Sequence, residues 1–139
     1  MEITRDNILW FAGLFEGEGC LTACQHKDKN IPTWNMVVNM TDEDVIKKIH
    51  QLFGGRLYFY ESKNPKHKDK WTWKTGELKK IYALVVAMIP FMGGRRRAKM
   101  EEFILDFASR PANSSEATKA QWRNPEYRDK NLMARKLSI

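Results

Sequence analysis

Cysteine and histidine are scarce in this chain of 139 residues: two cysteines, Cys20 and Cys24, share one short segment, and there are three histidines. No Cys or His set stands at metal-finger spacing, which excludes a disulfide scaffold and a zinc finger. No apolar run reaches the ~18 residues that a membrane span requires. The apolar stretch from Ala83 to Met92 runs into Gly93-Gly94-Arg95-Arg96-Arg97 and reads as a core helix. No secretory signal is evident, so the expected location is a cytoplasm or an organelle, not the exterior or a membrane. Acidic residues are outnumbered, 17 against 24 lysines and arginines, for a net charge of +7. With 42% apolar and 12% aromatic residues, this is no disordered polycation but a folded protein with an anionic partner.

The length suits one core, expected over residues 1–110, with a basic helical tail or arm over 111–139. Charge is divided unevenly. Residues 1–60 carry 6 basic and 8 acidic side chains, whereas residues 61–139 carry 18 and 9. Any one basic run could be a solvated face. Their sum, interleaved with Trp71, Trp73 and Trp122, favours a polyphosphate such as DNA or RNA.

Apolar spacing predicts a helix from Asp6, as cap, to about Gly17, broken by Gly19. Alternation then predicts strands over Cys20–His26 and Thr33–Met40, paired as a hairpin. Thr41 or Asp42 opens a second helix that Gly54-Gly55 stops. Two further strands, Arg56–Glu61 and Lys70–Lys74, are followed by helices from about Glu77 to Ile89 and from about Arg95 to Ser109. Each strand offers one apolar and one polar or basic face. The expected fold is a two-layer α+β domain in the order α-β-β-α-β-β-α-α, with an antiparallel sheet whose open side holds a ligand. In the tail, Asn124-Pro125-Glu126 has the form of a helix start; a basic arm and a solvated terminus are both compatible with it.

The most informative stretch runs from Trp10 to Gly19. Gly13 and Gly17 stand four apart inside a helix, each costing about 1 kcal/mol relative to alanine, so close approach of another backbone is implied. Glu18 falls at the helix end, where the macrodipole disfavours a carboxylate and a divalent cation would offset the cost. If two such helices packed about a two-fold axis, two Glu18 carboxylates would meet and form a site for paired Mg²⁺ ions able to hydrolyse a phosphodiester. Spacing also admits a plainer reading, with Gly17 and Gly19 in a turn and Glu16 and Glu18 as surface charges.

The segment Phe11-Ala12-Gly13-Leu14-Phe15-Glu16-Gly17-Glu18-Gly19 resembles the nine-residue motif of LAGLIDADG homing endonucleases. The two polar-faced strand pairs, the Ile89-Pro90-Phe91 helix end and the basic start of the next helix are similar to the rest of that domain, over roughly residues 5–109. One motif in so short a chain resembles the homodimeric subgroup. The resemblance implies intron homing by double-strand cleavage of DNA at a long, pseudo-palindromic site, with a concave sheet in the major groove and Mg²⁺ or another divalent cation such as Mn²⁺ as cofactor. It also admits a non-cleaving relative, an RNA-splicing maturase or a DNA-binding regulator; a basic RNA-binding module of another kind is the remaining reading.

By position the resemblance makes Glu18 the catalytic, metal-binding acid and gives the Gly17 carbonyl a share in holding metal. Glu16 matches an acid that supports the helix end. Arg95 is the match for a basic residue near the scissile phosphate, with Arg96 and Arg97 beside it as DNA contacts. Met40, or Asn39 next to it, takes the place of a polar group that orders water; Asn39 is the candidate. The dimer interface is expected at Ala12, Gly13, Glu16 and Gly17. Strand parity turns Thr22, Cys24, His26, Thr33, Asn35, Arg56, Tyr58, Tyr60, Lys70, Thr72 and Lys74 toward DNA, a set able to contact bases and phosphates.

Overall fold

The computed structural model describes residues 3–25, 27 and 31–110. His26 and the tail from 111 to 139 lie outside them. The elements are α1 (Arg5–Glu18), β1 (Gly19–Cys24), β2 (Thr33–Met40), α2 (Glu43–Phe53), β3 (Arg56–Tyr60), β4 (Lys70–Thr75), α3 (Leu78–Met88), a single 3₁₀ turn (Ile89–Phe91) and α4 (Gly94–Ser109). This is the α+β order that the alternation and the glycine breaks predict.

The cap of α1 differs from expectation. Thr4, not Asp6, is the N-cap, accepting a hydrogen bond from the Asn7 N–H at 3.2 Å. Asp6 falls within the first turn, where its charge suits the helix dipole instead. Asp42 is the N-cap residue of α2, as expected, though its side chain makes no capping hydrogen bond. Gly54 and Gly55 close α2 with positive φ. At Gly55 a side chain is excluded twice over, because a Cβ would also lie 2.8 Å from Trp73 Nε1.

All four strands form one antiparallel sheet in the order β1-β2-β4-β3. The two expected hairpins are there, and β2 with β4 joins them along the middle. Side chains alternate across the sheet: Leu21, Trp34, Met36, Val38, Trp73 and Thr75 are buried under the helices, and their neighbours in sequence face the open side.

Two aromatic groups organise the core. Phe11 lies 4.9 Å from Phe53 and meets Trp73 edge-on at 5.7 Å, ring centre to ring centre. Trp73 is fully buried, and its indole N–H donates to the Gly54 carbonyl at 2.6 Å, which ties the end of α2 to the sheet centre. On the other side Trp34 packs edge-on against Phe103 at 5.2 Å and donates its indole N–H to Asp106 Oδ2 at 2.7 Å. Asp106 also accepts from the Arg110 guanidinium at 2.8 Å, and Arg110 in turn donates to the Pro32 carbonyl. These contacts seat α4 against β1 and β2 and so bring its first turn to the end of α1.

Candidate active site and DNA-facing surface

The site forms where α1 passes directly into β1. Gly19 caps the helix in extended conformation, its N–H donating to the Phe15 carbonyl. Its lack of a side chain is required, since a Cβ there would fall 2.1 Å from the buried Phe15 ring. Glu18, the last helical residue, is exposed beside this junction. The register Gly19↔Val38 continues by one step to Glu18 and Asn39, so the two stand side by side at the end of the β1–β2 ladder. Asn39 faces the open side and accepts a hydrogen bond from the Thr72 hydroxyl at 2.5 Å. Met40 is half-buried and packs against the core beneath the sheet. Parity thus selects Asn39 over Met40 as the polar group beside Glu18.

The start of α4 meets the same junction. Gly93 N–H donates to Glu16 Oε1 at 3.2 Å, in keeping with the expected support role of Glu16. The three arginines diverge. Arg96 turns inward: its Nε donates to the Glu16 carbonyl at 2.7 Å, its Nη1 donates to the Gly19 carbonyl, and its guanidinium lies over the Phe15 ring. Arg97 donates to the Ile89 and Pro90 carbonyls at 3.3 Å each. Both therefore bind this chain's own backbone, Arg96 from a largely buried position and Arg97 from an exposed one. Arg95 is exposed and makes no hydrogen bond or ion pair with the described residues. It borders a groove of about 360 Å³ between β1 and α4, along with Cys20 and Lys99. Lys99 is engaged by Glu102 at 3.3 Å.

On the outer face of α1 the expected residues do not all lie together. Ala12 is 1% exposed and belongs to the core, whereas Leu9, Gly13, Glu16 and Gly17 are exposed. Among the described residues a Cβ at Gly13 or Gly17 would meet nothing within 4 Å, and nothing among them accounts for glycine at either position.

On the open side of the sheet the expected residues fall into rows. Asn39, Thr72 and Tyr58 form one, Val37, Lys74 and Arg56 the next, with Cys20 beyond Val37. Thr22 pairs with Asn35 and Cys24 with Thr33 toward the far end of β1. Tyr58 and Tyr60 are 45% and 62% exposed, and Lys70 Nζ lies over the Tyr60 ring at 5.5 Å. Thr33 also donates from its hydroxyl to the Cys24 carbonyl. Val37 and Cys20 share this face but are not in the expected DNA-facing set; alternation places both among the polar rows. Lys63, Lys66, His67 and Lys68 extend the surface along the β3–β4 loop. There the Ser62 and Lys66 N–H groups donate to Asp69 and Asn64 side chains at 2.8 and 3.0 Å.

Among the described residues no three His, Cys, Asp or Glu side chains converge on one point. With the Glu16 carboxylate accepting from Gly93 N–H and the Glu16 and Gly19 carbonyls from Arg96, the hard oxygen donors left at the junction are the exposed Glu18 carboxylate and the Gly17 and Glu18 carbonyls. One carboxylate with carbonyls suits Mg²⁺, which commonly takes one or two protein carboxylates and completes its shell with water and substrate phosphates. The residues therefore fit a divalent cation only if ligands from outside this junction complete its shell. No described helix is long and apolar enough to cross a membrane.

No protein-family model matches the chain, and no curated protein does. Solved structures do. The homing endonuclease I-CvuI in complex with its target superposes with a TM-score of 0.57 at 14% identity, over 73% of this chain and 66% of that one. The archaeal intron-encoded homing endonuclease I-Vdi141I complexed with DNA gives 0.55 at 14% identity, over 73% and 67%. The LAGLIDADG homing endonuclease I-GzeII in complex with its DNA target gives 0.57 at 14% identity, over 95% of this chain but 43% of that one. This chain thus spans about two thirds of the first two and less than half of the third. With the Phe11–Gly19 motif ending its first helix and the four-stranded open sheet beside it, the chain has the fold of the LAGLIDADG homing endonucleases.

Proposed function

We propose that the chain is one half of a homodimeric, site-specific DNA endonuclease, which hydrolyses one phosphodiester in each strand with the help of a divalent cation. The observation that carries this reading is the outer face of α1: Gly13 and Gly17 lie open to a partner backbone, and the same helix ends on the exposed Glu18. A second copy packed there about a two-fold axis sets two Glu18 carboxylates close together. Glu18 and the Gly17 carbonyl hold the cation. When bound, Mg²⁺ or Mn²⁺ supplies Lewis acidity to the scissile phosphate and to the attacking water.

The remaining groups are this chain's own contribution. Asn39, its carbonyl oxygen occupied by Thr72, offers its amide N–H groups to a water beside Glu18. Arg95, with no partner among the described residues, supplies positive charge to the phosphate at the groove edge. The open sheet face lies along the major groove, where Thr22, Asn35, Arg56, Tyr58, Lys70 and Lys74 read base edges and grip phosphates. That structures of this fold are complexed with a target or with DNA supports a DNA partner.

A randomised library of duplex targets incubated with the purified protein and Mg²⁺ tests the reading. Recovery of a long site with two-fold symmetry, cut on both strands, is the expected result; sites cut without symmetry would remove the dimer, and no cutting would remove the enzyme.

A further inference from the structure

The sequence places three consecutive arginines at the start of α4: Arg95 is exposed with no partner among the described residues, and Arg97, also exposed, bonds the Ile89 and Pro90 carbonyls. Arg96 is spent on a different task. Its side chain is 15% exposed, a low value for an arginine on the first turn of a helix. Its planar fork spans the α1–β1 junction, with Nε on the Glu16 carbonyl and Nη1 on the Gly19 carbonyl, while the Phe15 ring lies 5.5 Å beneath the guanidinium carbon. From the opposite side Glu16 Oε1 accepts from Gly93 N–H, the residue that precedes α4. The two elements are thus latched in both directions, and the latched carbonyls bracket Gly17 and Glu18.

A cation at this point has a clear electrostatic role. The end of α1 carries the negative pole of the helix and the charges of Glu16 and Glu18, and an arginine bonded to terminal carbonyls offsets both. Geometry adds a second role. Glu18 is carried by the end of α1 and Arg95 by the start of α4, two elements far apart in sequence; Arg96 is adjacent to Arg95 and holds the carbonyls on either side of Glu18. A guanidinium presents its N–H groups in a fixed plane, so it sets distance and angle together, which an ammonium does not.

We infer that Arg96 is a positioning residue of the nuclease site: it makes no DNA contact and fixes Glu18 relative to Arg95 by holding the Glu16 and Gly19 carbonyls. This deepens the proposed function and rests on it. Small displacements of a catalytic group are costly, at about a hundredfold in rate for ~1 Å.

The test compares wild type, Arg96→Met and Arg96→Lys on a target that the wild type cuts, with three readouts. These are single-turnover cleavage at saturating DNA, DNA affinity as a function of salt, and amide hydrogen exchange across residues 17–20 in the free protein. Arg96→Met is expected to cut about a hundredfold more slowly. Its affinity and salt slope should match wild type, and exchange at the junction should accelerate. Arg96→Lys, which keeps charge and N–H donors but not the fork, should recover part of both the rate and the protection. A salt slope lowered by about 0.9 in Arg96→Met, as loss of one phosphate contact gives, would overturn the inference and make Arg96 a DNA ligand. So would wild-type cleavage or unchanged exchange. Failure of the nuclease reading looks different, since then the wild type cuts no target, whereas failure of the latch shows only in the variants.

Discussion

Replacing Gly13 and Gly17 together with alanine separates the fold of the chain from its assembly. Among the described residues a Cβ at either position meets nothing within 4 Å, so the substitution adds no clash there. Each alanine removes a glycine from a helix interior and should stabilise the isolated chain by about 0.5–1 kcal/mol, or roughly 1–2 kcal/mol for the pair. The effect on association is opposite. If the two helices touch through these glycines, two-fold symmetry turns two new methyl groups per chain into four at the contact. At about 1 kcal/mol or more for each overpacked group, the dimer loses roughly 4 kcal/mol, about a thousandfold in Kd. Urea unfolding, done at a concentration where the wild type is monomeric, reads the first effect; sedimentation equilibrium across a concentration series reads the second. The expected result is a chain that is more stable, monomeric and unable to make double-strand cuts. Gly19→Ala is the contrast, because its Cβ would overlap the buried Phe15 ring at 2.1 Å and the chain itself should lose about 1–3 kcal/mol. A double-alanine variant that dimerises with wild-type affinity would refute the assignment of this face.

Asp106→Ala takes the acceptor from the Trp34 indole and the ion-pair partner from Arg110, and should cost about 1–3 kcal/mol in urea unfolding, with Asp106→Asn costing less. An unchanged midpoint would show that these contacts do not hold α4. Lys70→Gln and Lys74→Gln should each weaken DNA binding and lower its log–log salt slope by about 0.9, as expected for one phosphate contact; an unchanged slope would take that lysine off the DNA surface. Deleting residues 111–139 should likewise lower affinity and salt slope, and equal binding by the shortened chain would make the tail dispensable for DNA.

Much of this architecture is legible in the residues because the strands alternate and both α1 and α2 stop at glycine. Trp34, Met36 and Val38 are buried as their period of two demands, and Gly54-Gly55 ends α2 where its positive φ requires. What local pattern does not carry is long-range placement. The joining of β2 to β4 links residues more than thirty apart, and no turn chemistry announces it. Successive helix positions differ by about 100°, so Ala12 and Gly13 cannot both face outward. Small size alone does not say which of them does; burial of Ala12 beside Phe11 and Phe15 decides it. The same rotation sends Arg95, Arg96 and Arg97 in three directions. Only the phase of α4 against the end of α1 determines that Arg96 turns inward and Arg95 outward. Asn39 is the reverse case: strand parity and the one-step extension of the Gly19↔Val38 register bring it beside Glu18, and both can be read from the chain once the hairpin is drawn.

The proposed hydrolysis depends on Glu18 at the end of α1. It is tested most directly by incubating a supercoiled plasmid bearing a selected target with wild type and with Glu18→Gln, in Mg²⁺, while measuring binding to the same target. Linear plasmid is expected from the wild type, whereas Glu18→Gln is expected to bind the target and leave the plasmid supercoiled. Linear plasmid from Glu18→Gln at the wild-type rate would contradict that dependence on Glu18.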